Sequence, residues 1–177
     1  MAMFGHPNCR STVLVDPLHT TMITEAVLPE DSVVAQIHAL LMVAYALEAD
    51  RIGCVNFPPL RETIEELRQS ADRFLVFKRA DRIVGALSFD CSADSVTITR
   101  LVVSPSHLRQ GIATALLTSL EERIPRGARL SVSTATANSA AVLFYRRHGY
   151  AIVRVSASAE GISLTHFAKS KIPTDPP

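Results

Sequence analysis

The stretch that decides the fold is TITRLVVSPSHLRQGIATALLTSLEER, residues 97–123. Its opening is rich in β-branched and aliphatic residues and ends at Val103, where Ser104-Pro105 removes a ladder donor and stops the strand. Its second half sets Ile112, Ala113, Leu116, Leu117 and Leu120 at helical spacing, continued by Ile124 and closed by Pro125 and Gly127. The polar turn between them delivers the chain into the helix at a glycine. A strand-turn-helix junction of this kind leaves backbone N–H groups without intrahelical partners at the positive end of a helix dipole, so it can hold a phosphate. Gly111 and Ala113 put little side chain in the way, and Arg109 can add a charge-assisted contact. Taken alone, a Gly-x-Ala turn is more often a backbone joint than a ligand site, so its surroundings decide.

Working outward, Met22 begins a short strand, and Pro29 to Ser32 supply turn and N-cap chemistry for a helix with the stripe Val33, Val34, Ile37, Leu40, Leu41, Ala44 and Tyr45. Pro58-Pro59 opens a second helix with Leu60, Ile64 and Leu67 inward, after a loop at residues 53–57. Phe74 to Phe77 and Ile83 to Phe89 form a hairpin around Ala80-Asp81, a weak turn signal, and Ser95 to Val103 is the next strand. Beyond the long helix come a strand at Leu130 to Thr134, a helix at Ser139 to His148 stopped by Gly149, and strands at Tyr150 to Val155 and Ile162 to Phe167. The order β α α β β β α β α β β predicts one α/β layered domain with a mixed sheet. It occupies residues 21–168, with an extension over residues 1–20 and a frayed tail at residues 169–177.

The bulk numbers exclude several classes. With 177 residues, 47% apolar and 20% charged, the chain is globular and has room for a substantial core. A net charge of +1 with no basic cluster argues against a nucleic-acid partner. Three widely spaced cysteines and six scattered histidines suggest neither a disulfide framework nor a metal site. The apolar stretch around Ile37 to Leu47 is interrupted by His38 and falls short of the ~20 residues of a bilayer span, so no membrane is expected and the cytoplasm is the expected compartment. No GxSxG elbow, HExxH or Walker sequence is present.

The segments VVSPSHLRQGIATALL and ANSAAVLFYRRHGY together resemble the two central motifs of the GNAT superfamily of acetyl-CoA-dependent N-acetyltransferases. Gly111 and Ala113 stand at the glycine positions of the first motif, and Asn138, Tyr145 and Gly149-Tyr150 at those of the second. Leu108 occupies the place where the family has Arg or Gln, with Arg109 one residue later. The resemblance implies a mixed, mostly antiparallel sheet flanked by about four helices, its central strands splayed for acetyl-CoA. It implies that Leu101, Val102 and Val103 pair with the pantetheine arm. Arg109, Gln110, Gly111, Ile112, Ala113 and Thr114 then hold the pyrophosphate, and a backbone N–H near Val102 or Val103 serves the oxyanion. Tyr145 is the implied acid for the departing sulfur, while Asn138 caps its helix, donates to the cofactor, or does both.

The implied activity is acetyl transfer to a primary amine of a small molecule or peptide by direct attack, with acetyl-CoA as cosubstrate, no metal, and a homodimer left open. The competing class is an acyl-CoA-binding sensor or interaction module without catalysis. No base is legible. Thr97 falls where some family members have Glu, which leaves Asp90, Glu48, Tyr45 or a water chain. Arg100, on the central strand, is suited either to an anionic acceptor or to a neighbouring carboxylate.

Overall fold

A computed structural model describes residues 14–15, 21–26, 31–92 and 94–170. The strands are β1 (Leu14–Val15), β2 (Thr21–Ala26), β3 (Arg73–Arg79), β4 (Arg82–Cys91), β5 (Ser95–Val103), β6 (Arg129–Ala135), β7 (Ala151–Ala157) and β8 (Ser163–Ser170). The helices are α1 (Asp31–Ile52), α2 (Ile64–Arg68), α3 (Ile112–Arg123) and α4 (Ser139–Arg147). One eight-stranded sheet runs in the order β1-β2-β3-β4-β5-β6-β8-β7. Its ladders are antiparallel except for the parallel pair β5–β6. Within the segment expected to be an extension, Leu14 and Val15 pair with Ile23 and Met22. Of the expected frayed tail, Lys169 and Ser170 instead belong to β8, paired with Leu130 and Arg129. The other residues of both segments lie outside the described residues.

The two faces of the sheet carry separate cores. Leu75, Phe77, Leu87 and Phe89 pack with Ile112, Leu116, Leu117 and Leu120 of α3, while Phe74, Val76, Ala86 and Val102 pack with Val34, Ile37 and Leu41 of α1. Because β3 is covered on both sides, its run Phe-Leu-Val-Phe is continuously apolar instead of alternating. The stripe expected on α1 is buried, apart from Ala44, which is half-buried. The helix runs for 22 residues, through His38 and Glu48, and so is longer than the apolar stretch alone suggested. By length and composition it could cross a bilayer, yet Val34, Ile37 and Leu41 are sealed against the sheet.

Two local expectations are corrected. The segment after Phe57 is a 3₁₀ turn at Pro58–Arg61 followed by the short α2, because Thr63 and Glu66 form a capping box that starts a new helix. Ile64 faces solvent at 42% exposure, and Leu67 is the fully buried residue there. The weak turn Ala80-Asp81 is nonetheless a two-residue hairpin loop, with φ of 44° and 62° between paired Arg79 and Arg82. Strand twist imposes this left-handed geometry even though neither residue is Asn or Gly.

Gly85 is where α3 comes closest to the sheet. A Cβ there would lie 2.6 Å from Ile112 Cγ2 and 3.2 Å from Leu116 Cδ1. Ile112 is β-branched and buried at the start of α3, so it has no easy rotamer escape. Gly85→Ala is therefore expected to destabilise the domain by about 1–3 kcal/mol, read as a lower urea midpoint at unchanged slope.

Candidate functional site

The site begins where two strands part. Parallel pairing joins Ser95–Ile98 of β5 to Arg129–Val132 of β6 and then stops. Beyond it, residues 100–103 of β5 stay on β4, and residues 133–135 of β6 stay on β8, so a gap opens between them. At the same level β5 carries a bulge. Ser88 pairs with Arg100 and Phe89 with Ile98, which leaves Thr99 without a partner. The extra residue inverts the alternation that follows. Leu101 and Val103 now face the α3 core, while Val102 points to the α1 core.

Backbone direction follows from the same register. Ser104 N–H donates to Val84 O at 2.8 Å, so the residues paired in step with it, Val102 and Arg100, turn their amide groups into the β4 ladder. Leu101 and Val103 turn theirs toward the gap. Val102 thus drops out of the expected cofactor set on both counts, since its side chain is buried under α1 and its amide is directed to β4. Of the two amides expected to serve the oxyanion, only that of Val103 faces the open side.

A cleft of about 580 Å³ lies on the α3 side of the gap, lined by Leu101, Val103, Arg109, Gly111, Ile112, Ala113 and Thr114 among others. Gly111 is the N-cap of α3 with φ of 79°, and no side chain caps this end. The helix's first N–H groups are therefore left for a ligand. Space in front of Gly111 is open, since a Cβ there would meet nothing within 4 Å. Arg109 also has positive φ, 62°, the cost of folding the turn tightly enough to bring these amides together. An uncapped helix start, an unobstructed glycine and a lining arginine fit a pyrophosphate. The Gln110 side chain does not belong to this set. Its Oε1 accepts from Arg79 Nη1 at 2.6 Å, and its Nε2 reaches Ser106 O at 3.4 Å. Leu108, His107, Arg147 and His148 also line the cleft. His107, Arg147 and His148 carried no cofactor signal in the sequence, because only the fold brings the β5–α3 turn and the end of α4 to the same opening.

On the far side of the gap is a second cleft of about 320 Å³, walled by Tyr45, Glu48 and Phe57, by Thr99 and Arg100, and by residues of β6 and the β7–β8 turn. Leu101, Asn138, Ala141 and Tyr145 line both clefts. Tyr145 is buried and packs at 5.6 Å, centroid to centroid, against both Tyr150 and Phe167. Burial, and secondarily the charge of Glu48, push its phenol above the ordinary tyrosine value, so it is a protonated donor at neutral pH. Asn138 uses its oxygen to cap α4, accepting from Ala141 N–H at 3.1 Å, and its nitrogen donates to Glu48 Oε1 at 2.8 Å. Arg100 is held by Glu62 and by Asp72 Oδ2, the latter at 2.6 Å. Its charge is compensated by neighbouring carboxylates, the second of the two roles open to it from sequence. Of the candidate bases, Asp90 is exposed and paired across from Thr97, whereas Glu48 and Tyr45 face the second cleft.

The family model for the acetyltransferase (GNAT) domain matches residues 54–171. The chain belongs to the GNAT acetyltransferase family. It is 30% identical over 138 residues to UPF0157 protein YqkA of Bacillus subtilis (strain 168), a match covering 78% of this chain and 40% of that protein. The chain thus spans about two-fifths of the length of this curated relative. In fold it is similar to RimL, a ribosomal L7/L12 α-N-protein acetyltransferase solved with coenzyme A, at a TM-score of 0.69, 17% identity, and coverage of 93% of this chain and 100% of that one. It is likewise similar to the ribosomal-protein-S18-alanine N-acetyltransferase of Escherichia coli, at a TM-score of 0.66 and 17% identity over 88% and 96% of the two chains.

The GNAT turn of this chain makes a definite prediction. Coenzyme A at about one hundred times its Kd should stabilise the fold by about 2.7 kcal/mol. Gly111→Glu, which sets negative charge against the phosphates, should abolish the corresponding thermal shift. Gly111→Ala meets no neighbour. It should keep the shift while lowering the ligand-free Tm through about 1–2 kcal/mol of left-handed strain. Loss of the shift in both variants would place the phosphates elsewhere.

Proposed function

We propose that this GNAT domain transfers an acetyl group from acetyl-CoA to a primary amine of a small molecule or peptide by direct attack. The observation that carries the proposal is the pair of clefts meeting at Leu101, Asn138, Ala141 and Tyr145. Acetyl-CoA, when bound, supplies a thioester carbonyl. The amides of the α3 start and Arg109 are suited to its anionic end, and Leu101 and Val103 offer backbone groups to an extended arm as an added strand would use them. The Val103 N–H is a fixed donor for charge developing on the carbonyl oxygen. Tyr145 holds its proton and faces both openings, as an acid for the leaving sulfur must.

A module that only binds acyl-CoA has no use for a second cleft sharing a wall with the first. The two cases separate in one assay, thiol release from acetyl-CoA in the presence of mixed amines. Release above the amine-free rate supports transfer, and tight coenzyme A binding with no release across a broad amine panel supports the binding module.

Tyr145→Phe removes one oxygen and leaves the ring packing in place. The turnover number should fall on the order of 10²-fold, with calorimetric coenzyme A affinity unchanged. An unaltered turnover number would remove Tyr145 from the acid's role.

A further inference from the structure

The second cleft contains a carboxylate that the acetyl-CoA side does not use. Glu48 lies on α1, lines this cleft, and is held by Asn138 Nδ2 at 2.8 Å. Among the described residues no cation forms an ion pair with it. Arg100, the positive charge lining the same cleft, is taken up by Glu62 and Asp72. Formal charges of Arg100, Glu62, Asp72 and Glu48 therefore sum to −2, and Glu160 at the β7–β8 turn adds another carboxylate to the lining. Such a cleft favours a cationic guest and repels one bearing a carboxylate. Its other walls include Phe57, Pro58, Pro59, Ile162 and Leu164, which suit an apolar body behind the charge.

From this we infer that Glu48 is a catalytic residue, the group that binds the ammonium of an alkylamine acceptor and takes its proton. The inference rests on the transfer proposed above. Asn138 is the positioning residue. It is anchored by capping α4, the helix that carries Tyr145, so one amide sets the base relative to the acid. Glu48 is close enough to Tyr145 and Tyr45 for its charge to act on both phenols, which puts the carboxylate beside the junction of the two clefts. The protons balance. An alkylammonium gives up two; Glu48 receives the first and passes it to water. The second leaves as the nitrogen–carbon bond replaces the carbon–sulfur bond, and it makes good the proton that Tyr145 gives to sulfur. An alkylamine is almost wholly protonated at neutral pH, with a pKa near ~10, so it needs such a base, whereas an arylamine arrives uncharged and does not.

The test is Glu48→Gln, whose amide oxygen can still accept from Asn138, and an unchanged coenzyme A thermal shift shows that the variant is folded. Benzylamine and phenethylamine serve as ammonium probes, aniline and p-toluidine as neutral ones. Calorimetry on the coenzyme A complex should show benzylammonium binding weakened about tenfold or more, with aniline binding little changed. Acetylation of the two alkylamines should fall on the order of 10²-fold and that of the two arylamines should hold. Equal losses for both classes, or no loss of benzylammonium binding, overturn the assignment of Glu48 and leave the transfer proposal standing. Glu48-dependent binding of benzylammonium without acetylation of any probe overturns the catalytic part and leaves an ammonium-binding cleft, with the transfer proposal resting on the broad amine panel.

Discussion

The parallel ladder between β5 and β6 covers four residue pairs, from Ser95 with Arg129 to Ile98 with Val132, and no further. A strand that leaves its neighbour inside a domain carries amide and carbonyl groups that no longer have a partner, at a cost of about 1–3 kcal/mol for each one left dry. Here that cost is limited by exposing them to a cleft. The bulge at Thr99 sits at the parting point and fixes it. Thr99 donates to Asp72 Oδ2 at 2.5 Å, and its hydroxyl lies 2.6 Å from that of Ser88, so the unpaired residue is tied to β4 and to the segment leading into β3. Everything beyond it, the outward turn of the Leu101 and Val103 amides, the burial of Val102 and the entry of Arg100 into its carboxylate pair, follows from one residue of register.

The charges are arranged with similar economy. Arg100 is partly buried beneath α1, and two carboxylates compensate it where one would leave it short of acceptors. Its guanidinium carbon also lies 5.9 Å from the centroid of the Phe74 ring. Burial pushes the Tyr45 phenol upward, opposed by Arg100 and reinforced by Glu62 and Glu48. Both phenols that line the second cleft, Tyr45 and Tyr145, are consequently held as donors. The cleft thus combines protonated phenols with a carboxylate, a setting in which proton acceptor and proton donor are distinct groups.

Helices α1 and α3 and the turn at Gly111 were legible in the sequence because they depend on local spacing: the α1 stripe, the α3 stripe and the glycine at position 111 lie in continuous text. The loss of Val102 and of the Gln110 side chain from the site was not legible. The first depends on a bulge that no residue type announces, and the second on Arg79, which reaches position 110 only after the β3–β4 hairpin folds. Glu48 was one of several candidates, since the amide that holds it lies 90 residues away on another helix. Arg100 was ambiguous for the same reason, as its partners Glu62 and Asp72 belong to the connection between α1 and β3.

The two sides of the gap are built from different parts of the chain. The first cleft uses the β5–α3 turn and α4, the segments that carry the GNAT motifs. The second cleft draws on α1, the Phe57–Pro59 turn and the β7–β8 turn, which lie outside those motifs. They meet at Asn138 and Tyr145 alone among the polar side chains lining both clefts. Substitutions on α1 or in the β7–β8 turn can therefore reshape the second cleft while the strand gap, the uncapped α3 start and the Tyr145 packing stay as they are. The reverse does not hold. Moving α4 to alter the first cleft displaces Asn138, and with it the carboxylate of Glu48 on α1. The shape of the second cleft is thus the freer variable in this fold, and the Asn138–Glu48 hydrogen bond is the point at which that freedom ends.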